Sequence, residues 1–413
     1  MKQLAVALAA IGLTASLGAY AALPTGAQAT EVNVPQNQGG FFVGGSALYW
    51  QPTVSGNNLD YATTDIVGYQ DYDGPNQRLK NINPTYNWGF DVFAGYNFGN
   101  GNDVELEYLR LHTNDNSSTL TNDPAHYTAI NQSHIYADLP AVDTDTSFDP
   151  YDTYASGYGK AKINLDEGDL TVGQYFNIGC SDQVRLFAGL RYAELQRKLS
   201  TNYSQDPDSA GNTSLGLGVT TASYSGVLPS GAGNSVAVSN GALHGYDDSD
   251  FKGIGPIIGL NNSYYLGYGV GFIAGMDTGL LIGDVDDDLY LTNTQAALAF
   301  TPDSVPGIND VTATGGENIT TTHISSDDAR RVVPVIDAKL GLDYTYPFQS
   351  YGSLTLEAGW NVTHFWNAVD SLGGVAADAV LIADSDRFAS HKEASIGYQG
   401  PYVTLTYRAT PTV

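Results

Sequence analysis

The stretch Leu266 to Asp284, LGYGVGFIAGMDTGLLIGD, alternates along its length. In a strand, successive side chains point to opposite faces, so Tyr268, Val270, Phe272, Ala274, Met276, Thr278, Leu280 and Ile282 form one nearly apolar row. The other row, Gly267, Gly269, Gly271, Ile273, Gly275, Asp277, Gly279, Leu281 and Gly283, has few side chains to offer. A soluble sandwich would bury the first row and set polar groups on the second. A barrel wall, apolar towards lipid and thinned towards a lumen, fits better. A transmembrane helix needs roughly 20 apolar residues in succession, and Asp277 with its surrounding glycines excludes one here.

Nine further runs alternate in the same way: Phe41–Trp50, Asn87–Phe98, Asn102–His112, Tyr158–Asn177, Val184–Leu199, Phe251–Asn261, Arg331–Phe348, Leu354–Thr363 and Arg387–Arg408. In two of them the apolar row changes parity, once near Gly168 and once at Gly400-Pro401. A one-residue β-bulge at each place would keep both halves facing lipid. The links alternate between short, near residues 99, 180, 263 and 350, and long, at roughly 51–86, 113–157, 200–250, 285–330 and 368–386. Short periplasmic turns and long extracellular loops are the habit of outer-membrane barrels. The pattern therefore predicts an all-β chain, a single antiparallel transmembrane barrel of about ten strands. Tyr61–Gln70 and Leu289–Phe300 could add a hairpin and make twelve.

The N-terminus changes the picture from barrel to exported barrel. Lys2, an apolar Ala-rich run from Leu4 to Leu17 and Ala27-Gln28-Ala29 make a secretory signal peptide, so residues 1–29 are expected to be a leader and 30–413 the barrel domain. Without the leader, 16 basic residues face 44 acidic ones; the whole chain has a formal charge of −27. Nucleic acid is a poor partner for such a surface. The lone Cys180 rules out an internal disulfide framework.

Several tracts share one resemblance: GGFFVGGSALYW after the leader, YGKAKINLDEGDLTVGQYF, VRLFAGLRYAEL, DSDFKGIGPIIGL with its glycine-rich partner strand, and the closing GYQGPYVTLTYR. Together they resemble the Legionella-type major outer-membrane protein family over nearly all of the mature chain. The resemblance implies a pore-forming barrel in the outer membrane of a Gram-negative cell, among lipid and lipopolysaccharide.

No motif for catalysis, phosphate binding or a cofactor is present, so neither an enzyme nor a cofactor is expected. His112, His126 and His134 could hold a metal, but irregularly spaced histidines in a polar loop are more often solvated. Asp284, Asp286, Asp287 and Asp288, with Asp247, Asp248 and Asp250, could hold Ca²⁺; they lack the ligand spacing and glycine of an EF-hand, and a hydrated acidic rim is favoured. The chemistry that remains is that of a lumen. The inward rows are expected to carry Asp91, Glu105, Glu107, Lys160, Lys162, Arg185, Arg191, Asp277, Asp337, Lys339, Asp343 and Glu357. These point to a porin for passive diffusion of ions and small hydrophilic solutes, preferring cations, with selectivity set by the acidic loops because the wall charges nearly balance. The alternative is a surface adhesin or structural barrel whose lumen is plugged by salt bridges, since small barrels fill with side chains. A homo-oligomer is left open.

Overall fold

The computed structural model describes residues 32–35, 39–56, 59–66, 76–121, 128–131, 156–204, 242–302, 309–326, 329–348, 352–376 and 387–409. The leader and parts of the long connections lie outside them. Ten antiparallel strands make the wall: β1 (Gly40–Val54), β2 (Asn87–Phe98), β3 (Asn102–His112), β4 (Ser156–Ile178), β5 (Asp182–Ser204), β6 (Ala242–Gly267), β7 (Val270–Pro302), β8 (Ala329–Pro347), β9 (Ser353–Ala376) and β10 (Arg387–Arg408). Each pairs with the next, and β10 pairs with β1 to close the ring. The extra hairpin does not enter the wall. Asp60–Ile66 pairs instead with Asn76–Asn81 and Thr128–Asn131 in a separate small sheet, and Leu289–Phe300 is a continuation of β7 that pairs with Asn309–Ser325.

The short links all lie at one end. The link between β6 and β7 is Tyr268-Gly269, with φ of 57° and 85°; positive φ at both central residues is the two-residue turn that suits the twist of a hairpin. It falls inside the stretch the alternation assigns to one strand, so Tyr268 stands at the turn tip, 99% exposed, rather than in the wall.

Neither expected bulge is present. The register of β4 on β5 runs unshifted from Ser156↔Ser204 to Ile178↔Asp182. That of β10 on β9 runs unshifted across Gly400 and Pro401. What changes is the surroundings. The inward row of β4 reads Ala161, Ile163, Leu165, then Glu167, Asp169, Thr171, while its outward row reads Lys160, Lys162, Asn164, Asp166, then Leu170, Val172. β10 repeats this: Ile396 and Tyr398 point inward on the same parity as Tyr402, Thr404 and Thr406, and Val403 and Leu405 point outward. Near the short turns the wall is apolar outside and polar inside, as lipid demands. Further up it is polar outside and apolar inside, as water demands.

The border between the two tiers is a row of charges in register across six strands: Arg110, Asp166, Glu194, Lys252, Asp284 and Arg330. Ion pairs of 3.6 Å (Arg110–Asp166), 3.5 Å (Lys252–Glu194) and 3.4 Å (Arg330–Asp284) tie neighbours together. Exposed pairs of this kind contribute about 0–1 kcal/mol each, but they mark where the lipid-facing belt ends. Above the polar part of the inward rows the interior is a septum of close-packed side chains, among them Ile163, Leu195, Phe251, Val285, Val335, Phe365 and Ile396, all fully buried. Leu59, Tyr61 and Ala62, from the connection between β1 and β2, are buried in the same cluster, and the Tyr203 hydroxyl donates to the Tyr61 carbonyl.

Candidate functional site

Below the septum the inward rows turn polar and enclose a cavity of about 520 Å³. It reaches from Gln183, Ser263 and Ser353 beside the short turns up to Leu48, Trp50, Leu109 and Leu165 under the septum. Alternation places its lining: every second residue of a wall strand must face inward, and in the lipid-facing tier those are the residues that cannot face out. Asp91, Glu105, Glu107, Arg185, Arg191, Asp277, Asp337, Lys339, Asp343 and Glu357 all line it. Lys160 and Lys162 do not. They lie on the outward row of β4 above the charged border, because the parity change near Gly168 is a change of medium and not a bulge.

The alternation near Gly168, read without a bulge, leads instead to Glu167 and Asp169, which the inward list lacks. Arg191, 4% exposed, is held by both: 3.2 Å to Glu167 and 2.7 Å to Asp169, with Asp277 at 3.3 Å and Asp337 closer still. Arg185 lies 2.7 Å from Asp103 and 3.3 Å from Glu105, and donates to the Thr171 hydroxyl at 3.2 Å. The Ser46 hydroxyl donates to Asp91 at 2.9 Å and meets Thr404 at 2.8 Å. Lys339 lies 3.8 Å from Glu357, which also accepts from the Tyr402 hydroxyl. In all, nine carboxylates and four cationic side chains line the cavity. With two lysines moved out and two carboxylates brought in, the wall charges do not balance. Acidic side chains outnumber basic ones in the lumen, contrary to the expectation that its charged groups nearly balance and that selectivity comes mainly from the loops.

The glycines of β7 do not widen this space. A Cβ on Gly271 would meet Asp343 Oδ1 at 2.2 Å, one on Gly275 would meet Lys339 Cγ at 2.9 Å, and one on Gly279 would meet Ile257 Cγ2 at 2.6 Å. The missing side chains make room for long neighbours to lie across the wall.

A second polar cluster sits inside the upper tier. Arg197 donates to Asp247 at 2.8 Å and to the Asp370 carbonyl at 2.6 Å; Arg331 grips the Asp370 carboxylate at 2.6 and 2.9 Å. Asp287 lies with them, 1% exposed, and burial with Asp247 alongside pushes its carboxyl up to about 9. Asp247 and Asp287 are thus interior groups rather than parts of a hydrated rim, while Asp284, Asp286 and Asp288 stay on the outward row. Among the described residues no three His, Cys, Asp or Glu side chains converge as metal ligands. His112 is exposed on the outer face, 2.7 Å from Asp166; His126 and His134 lie outside the described residues.

Among solved structures the chain is similar to the outer membrane protease OmpT from Escherichia coli, at 10% identity over 89% of this chain and 96% of that one, with a TM-score of 0.34. It is similar to the Pseudomonas putida toluene transporter TodX (11% identity, 91% of each chain, TM-score 0.25) and to a Pseudomonas aeruginosa FadL homologue (12%, 90% of each, 0.25). Likeness at this level concerns neither site nor activity. Comparison with curated proteins finds no match. The family model of the Legionella pneumophila major outer membrane protein precursor, however, matches residues 33–409, and the chain belongs to that outer-membrane family.

Proposed function

We infer that the protein is a pore-forming outer-membrane barrel that passes small cations and rests closed. The observation that carries this reading is the lumen at bilayer height, polar and lined by nine carboxylates against four cations. Fixed charge in a narrow lumen selects for counter-ions. Unlike loop charge, it is shielded from the salt that shortens the screening length in open water. Passage requires the septum to part, so the resting state is shut and conductance comes as brief openings.

The septum also favours a second reading, a permanently plugged barrel with a structural or adhesive role. Packing of this density fills small barrels without any need for transport. Planar-bilayer recording of the folded protein separates the two. Brief, cation-preferring steps support the channel, with a preference that survives from about 0.1 M to 1 M salt although the screening length falls from ~10 Å to ~3 Å. A silent bilayer with demonstrably inserted protein supports the plug.

A further inference from the structure

The lumen cavity is more than a stretch of conduction path, because it ends blindly. Its upper boundary is Leu48, Trp50 and Leu165, part of the septum cluster or packed directly beneath it, while its lining extends to the short turns. A solute that enters from the short-turn end meets a closed, anionic pocket and leaves the way it came. That is the geometry of a binding site.

The pocket holds acceptors that the protein leaves open to a further donor. Asp91 is 8% exposed, accepts from the Ser46 hydroxyl and otherwise faces the Glu107 carboxyl; Asn361 Oδ1, a buried atom in the same lining, has no hydrogen-bond donor. Unsatisfied buried acceptors cost on the order of 1–3 kcal/mol each, which a ligand carrying N–H donors would recover. The carboxylates are spread along the cavity rather than gathered. Asp343 and Glu357 lie towards the short turns and Glu167 and Asp169 towards the septum. Among the described residues none converge as a metal site, so a compact metal ion is a poor match and an extended cation a good one. Between the charges stand Phe42, Phe93 and Trp50, apolar surfaces suited to methylene spacers.

We propose that this cavity binds linear polyammonium compounds, aliphatic di- and triamines, entering from the short-turn end. The inference rests on reading the lumen as anionic and water-accessible, but not on conduction. Ammonium groups satisfy the free acceptors by charge-assisted hydrogen bonds, and the chain between them lies along the aromatic walls.

The test is calorimetric titration of spermidine into the folded full-length protein in detergent at low salt. Saturable binding is expected. It should be weakened about tenfold or more by Asp91→Asn, the loss that removal of one charge-assisted hydrogen bond implies. Asp343→Asn, nearer the mouth and less buried, should weaken it as well and carries the test if Asp91→Asn does not fold. Glu194→Gln on the outer face should leave affinity unchanged. Mg²⁺ at equal charge concentration should compete poorly. Absence of saturable binding, indifference to the folded lumen variant, or displacement by Mg²⁺ as readily as by amine would each overturn the proposal. A barrel that conducts without binding spermidine sinks this inference alone; one that binds without conducting sinks the channel reading and leaves this one standing.

Discussion

Arg191 is the side chain on which the lumen depends most. It is the shared partner of Glu167, Asp169, Asp277 and Asp337, and no other cation among the described residues is paired with any of the four. Removing one partner of a buried ion cluster leaves charge uncompensated and costs about 3–5 kcal/mol. Arg191→Met should therefore lower unfolding free energy by that amount in a urea titration of vesicle-inserted protein, and a loss within the range of an exposed ion pair would show the cluster to be hydrated. Asp287 makes the opposite case, a carboxyl held neutral. Its folded pKa of about 9 lies above the ordinary value of ~3.9, so the protonated form is the one that suits the fold. The associated stability is present in full below the unfolded value and is lost as pH rises through about 9. The denaturation midpoint should fall from about pH 4 to about pH 9 and level off above that, and Asp287→Asn should flatten that fall. An identical slope in the variant would place the titration elsewhere.

Individual strands show where alternation informs and where it misleads. On β2, β3, β8 and residues 353–363 of β9 the inward acids and bases were legible because those segments lie largely within one medium, and a row that is apolar there is a row that faces lipid. β4 and β10 cross from lipid to water, so the same inward row is polar at one end and apolar at the other. Hydropathy read alone turns that crossing into a bulge and sends Lys160 and Lys162 to the wrong side. The cue lay in the two rows exchanging character together at Gly168, where Asp166 and Glu167 are followed by Asp169 and Leu170. A true register shift does occur, between Phe365 and Val369 on β9; Asn367 has φ of 51° there and its N–H donates to the Ser395 hydroxyl, and nothing in the local alternation announces it. For β6 the facing can be tested directly. Ile258 stands outward in the belt and Lys252 in the charged border. Ile258→Arg should cost roughly 2–4 kcal/mol in refolding titrations into lipid vesicles, while Lys252→Gln should cost about 0–1 kcal/mol. Comparable losses would mean the belt is misplaced.

At the scale of the whole molecule, ring size and the alternation of short and long links were readable from the chain, and the height of the wall was not. Stretches such as 242–250 and 285–302 read as acidic loops, yet they are strand. Their carboxylates look like loop charge because the outward face above the border is as polar as any loop. The native cysteine reports the orientation. Cys180, free and exposed in the short turn between β4 and β5, should resist a membrane-impermeant maleimide in intact cells and react once the outer membrane is opened. Tyr290→Cys, on the outward row of β7 above the charged border, in a Cys180→Ser background should react in intact cells; the reverse order would invert the topology. The wall also continues well past the charged border. From Asp284 to Leu291 on β7 is roughly 25 Å of chain at about 3.3 Å per residue. Paired sheet of that length on β4 to β7, packed on apolar side chains, stands clear of the lipid as a stiff wall. An antibody or a phage approaching the cell would therefore touch folded sheet before it reached lipid, and an epitope there would be conformational, lost on a blot of denatured chain and kept on the living surface.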